Sequence, residues 1–304
     1  MKKLSDIKDI KKLDNKLMAR FNKAIKDEEF KNFIDGLGVS YEELCKYTSI
    51  LDDSLIEYSH CKNCKSILEC KNKITGYAYL PKVKNKKIEF QYQMCKYKEE
   101  INKKNKYLKN IYFFNVPSEI KSASIKDIDK SDMKRLDTIK YIAEFMKNYD
   151  KNQHQKGLYL HGTFGCGKTY IITAMLNELA KRDVKSAIIF WPEYLRMLKT
   201  LFNDNNAFKL KYNTVKEVPI LLIDDIGAEN VTEWGRDEIL CSILQYRMDN
   251  ELPTFFTSNL NLDELTKHLS VTKDSVSNVK AERIIQRIKQ LTYDKEILGK
   301  NLRK

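Results

Sequence analysis

The run Gly162-Thr163-Phe164-Gly165-Cys166-Gly167-Lys168-Thr169 fits the spacing G-x-x-x-x-G-K-[ST], and it narrows the possible folds more than any other feature of the chain. It follows an apolar strand-like run, Gly157 to Gly162, and opens a helical stretch from Thr169 to Arg182. Glycines let the backbone wrap closely around an anion, so that successive N–H groups and the positive end of the following helix face it. The spacing therefore predicts that the backbone of Gly162, Thr163, Gly165, Cys166 and Gly167 cradles phosphates. Lys168 would reach the β and γ phosphates, and the Thr169 hydroxyl would ligate Mg²⁺. Cys166 is read as a small filler without chemistry of its own.

A bare motif arises by chance often enough to require a second signal. Residues 220–225, Ile-Leu-Leu-Ile-Asp-Asp, supply it: a buried strand would deliver two acids to the carboxyl end of a sheet, where open α/β folds bind ligands. Asp224 is expected to hold Mg²⁺ and Asp225 to polarise an attacking water. A later strand-like run, Pro253 to Asn259, ends in Ser258 and Asn259, polar residues placed to sense a γ-phosphate or position water. Arg283 and Arg287 lie four apart on one helical face, suited either to phosphates or to pairing on a surface helix. Strand-like runs at 185–190, 218–224 and 253–259 alternate with helical stretches, which predicts an α/β domain with a parallel sheet.

The remainder of the chain reads differently. Residues 1 to about 55 carry amphipathic helical patterns: Leu4, Ile7, Ile10, Leu13 and Leu17 recur at helical steps, a second piece spans Asp27 to Asp35, and a third follows Ser40 as N-cap. Then come short β-like runs and four clustered cysteines in the pattern Cys61-x₂-Cys64-x₅-Cys70-x₂₄-Cys95. A close first pair with two further thiols across a hairpin suits a four-coordinate structural Zn²⁺ site. Lys96 to about Asn110 is nearly free of apolar residues and reads as a solvated linker, extended or helical. The expected division is a helical and zinc-binding α+β domain at 1–95, a linker at 96–116 and the nucleotide domain at 117–304.

Composition excludes several classes. Among 304 residues, 42% are hydrophobic and only 10 are Gly and 5 Pro, so neither a disordered nor a collagen-like chain fits. No run approaches the ~18–20 apolar residues that span a bilayer, and the charged start has no secretory core. Seven cysteines, unevenly spread, suit a reduced cytoplasmic protein with a metal site better than a disulfide framework. The net charge of +13 favours polyanionic partners such as nucleic acid, although the abundance of Lys, Asn, Ile and Tyr also fits codon bias.

Taken in order, the motifs at 162–169, 220–229, 255–259 and 281–288 resemble those of AAA+ ATPases, and among them the bacterial replicative helicase loaders of the DnaC/DnaI type. The acid pair is Asp-Asp, as in the loaders, where most AAA+ proteins have Asp-Glu. The resemblance implies a parallel-sheet P-loop domain with a reduced lid. It also implies that Asn259 is the sensor-1 residue and that Arg283 is an arginine finger acting in a neighbouring subunit of a homo-oligomer. Arg303 is a weak candidate for a second sensor. ATP would drive loading of a hexameric replicative DNA helicase onto single-stranded DNA. The helix near Tyr194, Arg196 and Lys199 would line a DNA channel or merely cover the sheet, with Leu195, Leu198 and Leu201 packed inward. DnaI-type loaders carry an N-terminal zinc domain that docks on the helicase. In that family a ligand can be His, which leaves His60 in reserve for Cys70. The rivals are a transposition-helper ATPase and a nucleotide-dependent adaptor with little turnover.

Overall fold

The computed structural model describes residues 15–85, 87–128, 133–272, 276–299 and 301–302. The chain divides into two compact units, Met1–Lys106 and Tyr107–Lys304.

In the N-terminal unit, residues 15–24 form α1, followed by α2 (Glu28–Asp35), α3 (Tyr41–Leu44) and α4 (Thr48–Lys62). Asp27 caps α2 by accepting from the amides of Glu29 and Phe30, and Glu28 and Glu29 place negative charge at its positive end. The single helix expected after Ser40 is broken by a 3₁₀ turn at Cys45–Tyr47. Phe21, Phe30, Ile34, Leu44, Cys45 and Leu51 form a small core. It is closed by Ile88 from a hairpin of β1 (Tyr77–Lys84) and β2 (Lys87–Met94), antiparallel in the register Tyr77↔Met94 to Lys84↔Lys87. The buried Glu57 of α4 accepts the Tyr79 amide at 2.6 Å and latches helix to hairpin. The unit ends in α5 (Lys96–Lys104), whose N-cap is Cys95. The early apolar positions Leu4, Ile7, Ile10 and Leu13 lie outside the described residues.

The second unit runs β3 (Ile111–Phe114), α6 (Ser118–Lys121), α7 (Met133–Asn148), β4 (Gly157–Gly162), α8 (Lys168–Ala180), β5 (Ser186–Phe190), α9 (Trp191–Thr200), α10 (Asn205–Glu217) and β6 (Ile220–Asp224). A π-helical turn, Trp234–Leu240, then leads into α11 (Cys241–Asp249), β7 (Thr254–Thr257), α12 (Leu262–Ser270), α13 (Asn278–Leu291) and β8 (Thr292–Ile297). The six strands form one parallel sheet in the order β3-β5-β6-β7-β4-β8. Successive residues feed opposite faces: Leu221 and Ile223 join the cluster under α9 and α11–α13, whereas Ile220 and Leu222 join the one under α7 and α8. Both faces are covered, which is why β4 and β6 read as continuous apolar runs.

The span 96–116 differs from its expected linker character. Its first part, α5, takes the helical form open to it, but Ile111–Phe114 is an edge strand paired with β5. Ile111 and Phe114 are buried, and Asn110 Nδ2 donates to Ala180 O and Asp183 Oδ1. The chain divides after Lys106, so the sheet unit starts earlier than 117. Too few apolar residues precede β3 to give a periodic signal. β8 was also hidden, because Thr-Tyr-Asp-Lys-Glu-Ile is an edge strand with a polar outer face. The residues after β7 go into α12, α13 and this last strand.

Arg247 of α11 is fully buried and, among the described residues, pairs with no acid. Its guanidinium donates to Thr254 Oγ1 and to the carbonyls of Val215, Lys216, Val218, Pro219 and Pro253, tying α10, β6 and β7 together. Burial pulls it down to about 9.

Candidate functional site

β4 ends in Gly162, whose φ of 131° and closeness to β8 exclude a side chain: a Cβ there would lie 2.1 Å from Ile297 O. The loop then turns into α8 through Gly167 at φ 89°, a left-handed N-cap. Residues beyond β8 brace this loop from outside. Thr163 Oγ1 donates to Gly299 O at 3.1 Å, and the Leu302 amide donates to Gly165 O at 3.0 Å. Cys166 is fully buried and fills space under the loop.

Because β7 lies between β4 and β6, its end separates the loop from the acids and bridges them. Lys168, 7% exposed, donates from Nζ to Gly162 O, Thr163 O and Asn259 Oδ1 at 2.9, 2.9 and 3.0 Å. Asn259 Nδ2 donates to Asp225 Oδ1 at 3.0 Å. Thr169 Oγ1 donates to Asp224 Oδ1 at 2.6 Å, and Thr257 Oγ1 reaches the same oxygen at 2.5 Å. Asp225 takes a left-handed backbone, φ 58°. Burial lowers the Lys168 ammonium, with Cys166, Asp225 and Asp224 opposing it. Burial raises the Asp224 carboxyl, and the hydroxyls of Thr169 and Thr257 oppose that shift. Ser258 is a brace: buried, it donates to Ile226 O and accepts from the Leu260 amide.

A family model for the bacterial DnaA ATPase domain matches residues 123–277. The replicative helicase loader DnaI of Bacillus subtilis (strain 168) is 33% identical over 284 residues, covering 92% of this chain and 91% of that protein. The chain belongs to the DnaI family of replicative helicase loaders. A crystal structure of DnaI is 43% identical with a TM-score of 0.57, covering 65% of this chain and all of that one. A putative primosome component from Streptococcus pyogenes serotype M3 is 31% identical with a TM-score of 0.56, covering 66% of this chain and all of the other. The sheet unit of this DnaI-family chain is an AAA+ ATPase-type domain.

Other expected residues fall in varied places. Arg283 is exposed on α13 and, among the described residues, makes no hydrogen bond or ion pair to the Lys168 cluster. Arg287, by contrast, is spent on α11, donating to Cys241 and Gln245. Arg303 lies outside the described residues. Tyr194 does not offer a stacking face: it is fully buried, packed on Phe114 and Trp191, because its ring lies on the same apolar side of α9 as Leu195 and Leu198. Leu201 is only partly buried. Arg196 is exposed and pairs with Glu193, while Lys199 sits over the Trp234 ring at 5.6 Å.

The DnaI-family N-terminal unit holds the second candidate site. Cys61, Cys64, Cys70 and Cys95, all free thiols, line one cavity of about 330 Å³ together with Asn72 and Tyr97. Three sulfurs accept N–H groups: Cys61 from Asn72 Nδ2, Cys70 from the Gly76 amide and Cys95 from the Lys98 amide, at 3.4, 3.3 and 3.4 Å. Such donors suit thiolates, and the fourth thiol, Cys64, donates to Ser66 O. Burial raises the Cys61 thiol, with the other three cysteines adding to it. Among the described residues, no three His, Cys, Asp or Glu side chains are grouped closely enough to hold an ion as they stand. The donor set fits Zn²⁺ in kind, though drawing four thiols onto one ion would require them to close on the cavity. His60 does not line it and bonds Asn72 Oδ1 instead.

Thr257 and Asn72 escaped the sequence reading. Each acts across a fold-dependent gap, Thr257 on Asp224 and Asn72 on Cys61, His60 and the Tyr77 carbonyl.

Proposed function

We propose that this chain is an ATP-dependent loader that delivers a hexameric replicative helicase onto single-stranded DNA in the cytoplasm. The observation that carries the reading is the hydrogen-bonded set joining Lys168, Asn259, Asp225, Thr169, Asp224 and Thr257 across three strand ends, in a chain related over nearly its full length to a replicative helicase loader.

On ATP binding, the amides of residues 162–167 take the phosphates, and Lys168 exchanges its carbonyl partners for phosphate oxygens. Thr169 and Asp224 are the residues that would hold Mg²⁺, which neutralises phosphate charge when bound. Asp225, oriented by Asn259, draws the proton of the attacking water. Arg283, exposed and uncommitted to the cluster of its own chain, supplies the guanidinium to a neighbouring copy, which makes turnover depend on oligomer formation. The N-terminal unit docks on the helicase, with Zn²⁺ on Cys61, Cys64, Cys70 and Cys95 as a structural closure. Arg196 and Lys199 contribute positive charge to the face offered to DNA.

The test measures phosphate release by the full chain with and without single-stranded DNA, alongside pull-down of its replicative helicase with and without a zinc chelator. Helicase capture without any ATP turnover would support the adaptor reading instead. No capture under any condition would overturn loading.

A further inference from the structure

We infer that Thr257 is a positioning residue for the Mg²⁺-nucleotide site, fixing which oxygen of Asp224 is presented to the ion and holding Asp225 in its turned backbone. This inference rests on the proposed nucleotide function of the Lys168 cluster. Thr257 is the last residue of β7, pairs with Leu160 of β4, and follows the Phe256–Ile223 pair that ties β7 to β6. It is 2% exposed, so its hydroxyl has no recourse to solvent and must find partners in the protein. It finds two on the acid pair: Oγ1 donates to Asp224 Oδ1 at 2.5 Å and accepts the Asp225 amide at 2.9 Å. The Thr257 carbonyl also accepts the Ile226 amide at 3.0 Å. One residue thus clamps three successive positions of the β6 exit.

The two bonds have separate consequences. Thr169 and Thr257 both donate to Oδ1 of Asp224, and among the described residues no protein hydrogen bond reaches Oδ2. The carboxylate is therefore held with one oxygen engaged and the other open, as a metal-ligating acid requires of its outer partners. The Asp225 amide, anchored on the same hydroxyl, keeps that residue at φ 58°, a conformation an L-residue adopts only when its surroundings enforce it. The side chain of Asp225 is thereby aimed at Asn259. A hydroxyl is needed for both bonds, whereas the β-branched shape alone would suffice for a packing role.

Thr257→Val keeps the shape and removes the hydroxyl; Thr257→Ser does the reverse. In the full chain, equilibrium binding of a fluorescent ADP analogue is titrated with Mg²⁺, and ATP turnover is followed in parallel. Thr257→Val is expected to raise the Mg²⁺ needed for half-maximal effect about 10–100-fold and to lower kcat on a similar scale, while Thr257→Ser stays within about threefold of wild type. Affinity without Mg²⁺ should change little in either variant, and Thr257→Val should lose only about a few degrees of Tm. Should Thr257→Val fail to fold, Thr257→Ala in the same titration decides. A hydroxyl-free variant with the wild-type Mg²⁺ requirement, or a Ser variant as impaired as Val, overturns the inference. A wild-type chain that binds no nucleotide overturns the underlying reading and the inference with it. Wild-type binding without turnover removes hydrolysis alone and leaves the Mg²⁺ titration to decide on Thr257.

Discussion

Lys168, Asn259, Asp225, Asp224, Thr169 and Thr257 hold one another through hydrogen bonds at the ends of three strands, with a covered sheet behind them. The four thiols of the N-terminal unit instead line a cavity on the segments around a two-stranded hairpin, and the small core of that unit lies with the helices and Ile88. The first set is held together by protein hydrogen bonds alone, some of which Lys168 and Thr169 would exchange for nucleotide and ion. The hairpin beside the thiols is fastened to the helices by Ile88 and the Glu57–Tyr79 bond, and under the zinc reading proposed above the ion would add the link between the thiols that protein contacts do not make. Protein contacts therefore account for the order of the first site, whereas the second, on the proposed reading, would take one further link from Zn²⁺.

The contrast would be broken most severely by removing the proposed Zn²⁺. Structural zinc contributes roughly 10–16 kcal/mol in small domains, so chelation should melt the hairpin end of the N-terminal unit while nucleotide affinity stays within about twofold. Hydrogen exchange at residues 76–98 and zinc release, read beside nucleotide titration, check this; protection that survives chelation would place both sites in the first category. Next, Arg283→Ala should cut turnover by about 10³-fold or more while leaving nucleotide affinity near wild type, since a finger acts on the transition state. The dependence of specific activity on protein concentration should vanish as well, and unchanged turnover would sink the assignment. Arg247→Met removes a buried hub of the sheet unit and should cost about 3–5 kcal/mol in denaturant unfolding. If the units are held independently, hairpin exchange will not follow that loss. The smallest effect is expected from Glu57→Gln, which weakens the latch to the Tyr79 amide by about 1–2 kcal/mol and should appear as faster exchange in β1 alone.

The two sites were also unequally legible. The phosphate loop and the Asp224-Asp225 pair are contiguous in sequence, and their chemistry imposes residue type and spacing together. The cysteine spacing pointed to one Zn²⁺ site for the same reason, and the structure brings the four thiols to one cavity. Thr257 and Asn72 were invisible because their worth lies in partners that only the fold brings near. The side of Tyr194 is not decided by sequence, because an aromatic on an amphipathic helix can serve either face, and burial between Phe114 and Trp191 is decided by packing. The linker reading stopped at charge, which overrode the four-residue strand beyond it, and β8 was masked by the polar outer side of an edge strand.

The placement of β4 in the sheet has a consequence for how the protein is made. Its two neighbours, β7 and β8, are both later in sequence, and the contacts outside the phosphate loop come from Gly299 and Leu302. A nascent chain that has already emitted Lys168 must wait for these partners, on the order of ten seconds at typical rates of ~5–20 residues per second. Over that interval β5 and β6 can pair, but the strand carrying the loop has no edge to join. The nucleotide site is thus completed only once β7, β8 and the residues up to Leu302 have emerged, so a chain cut before them cannot offer a finished phosphate loop.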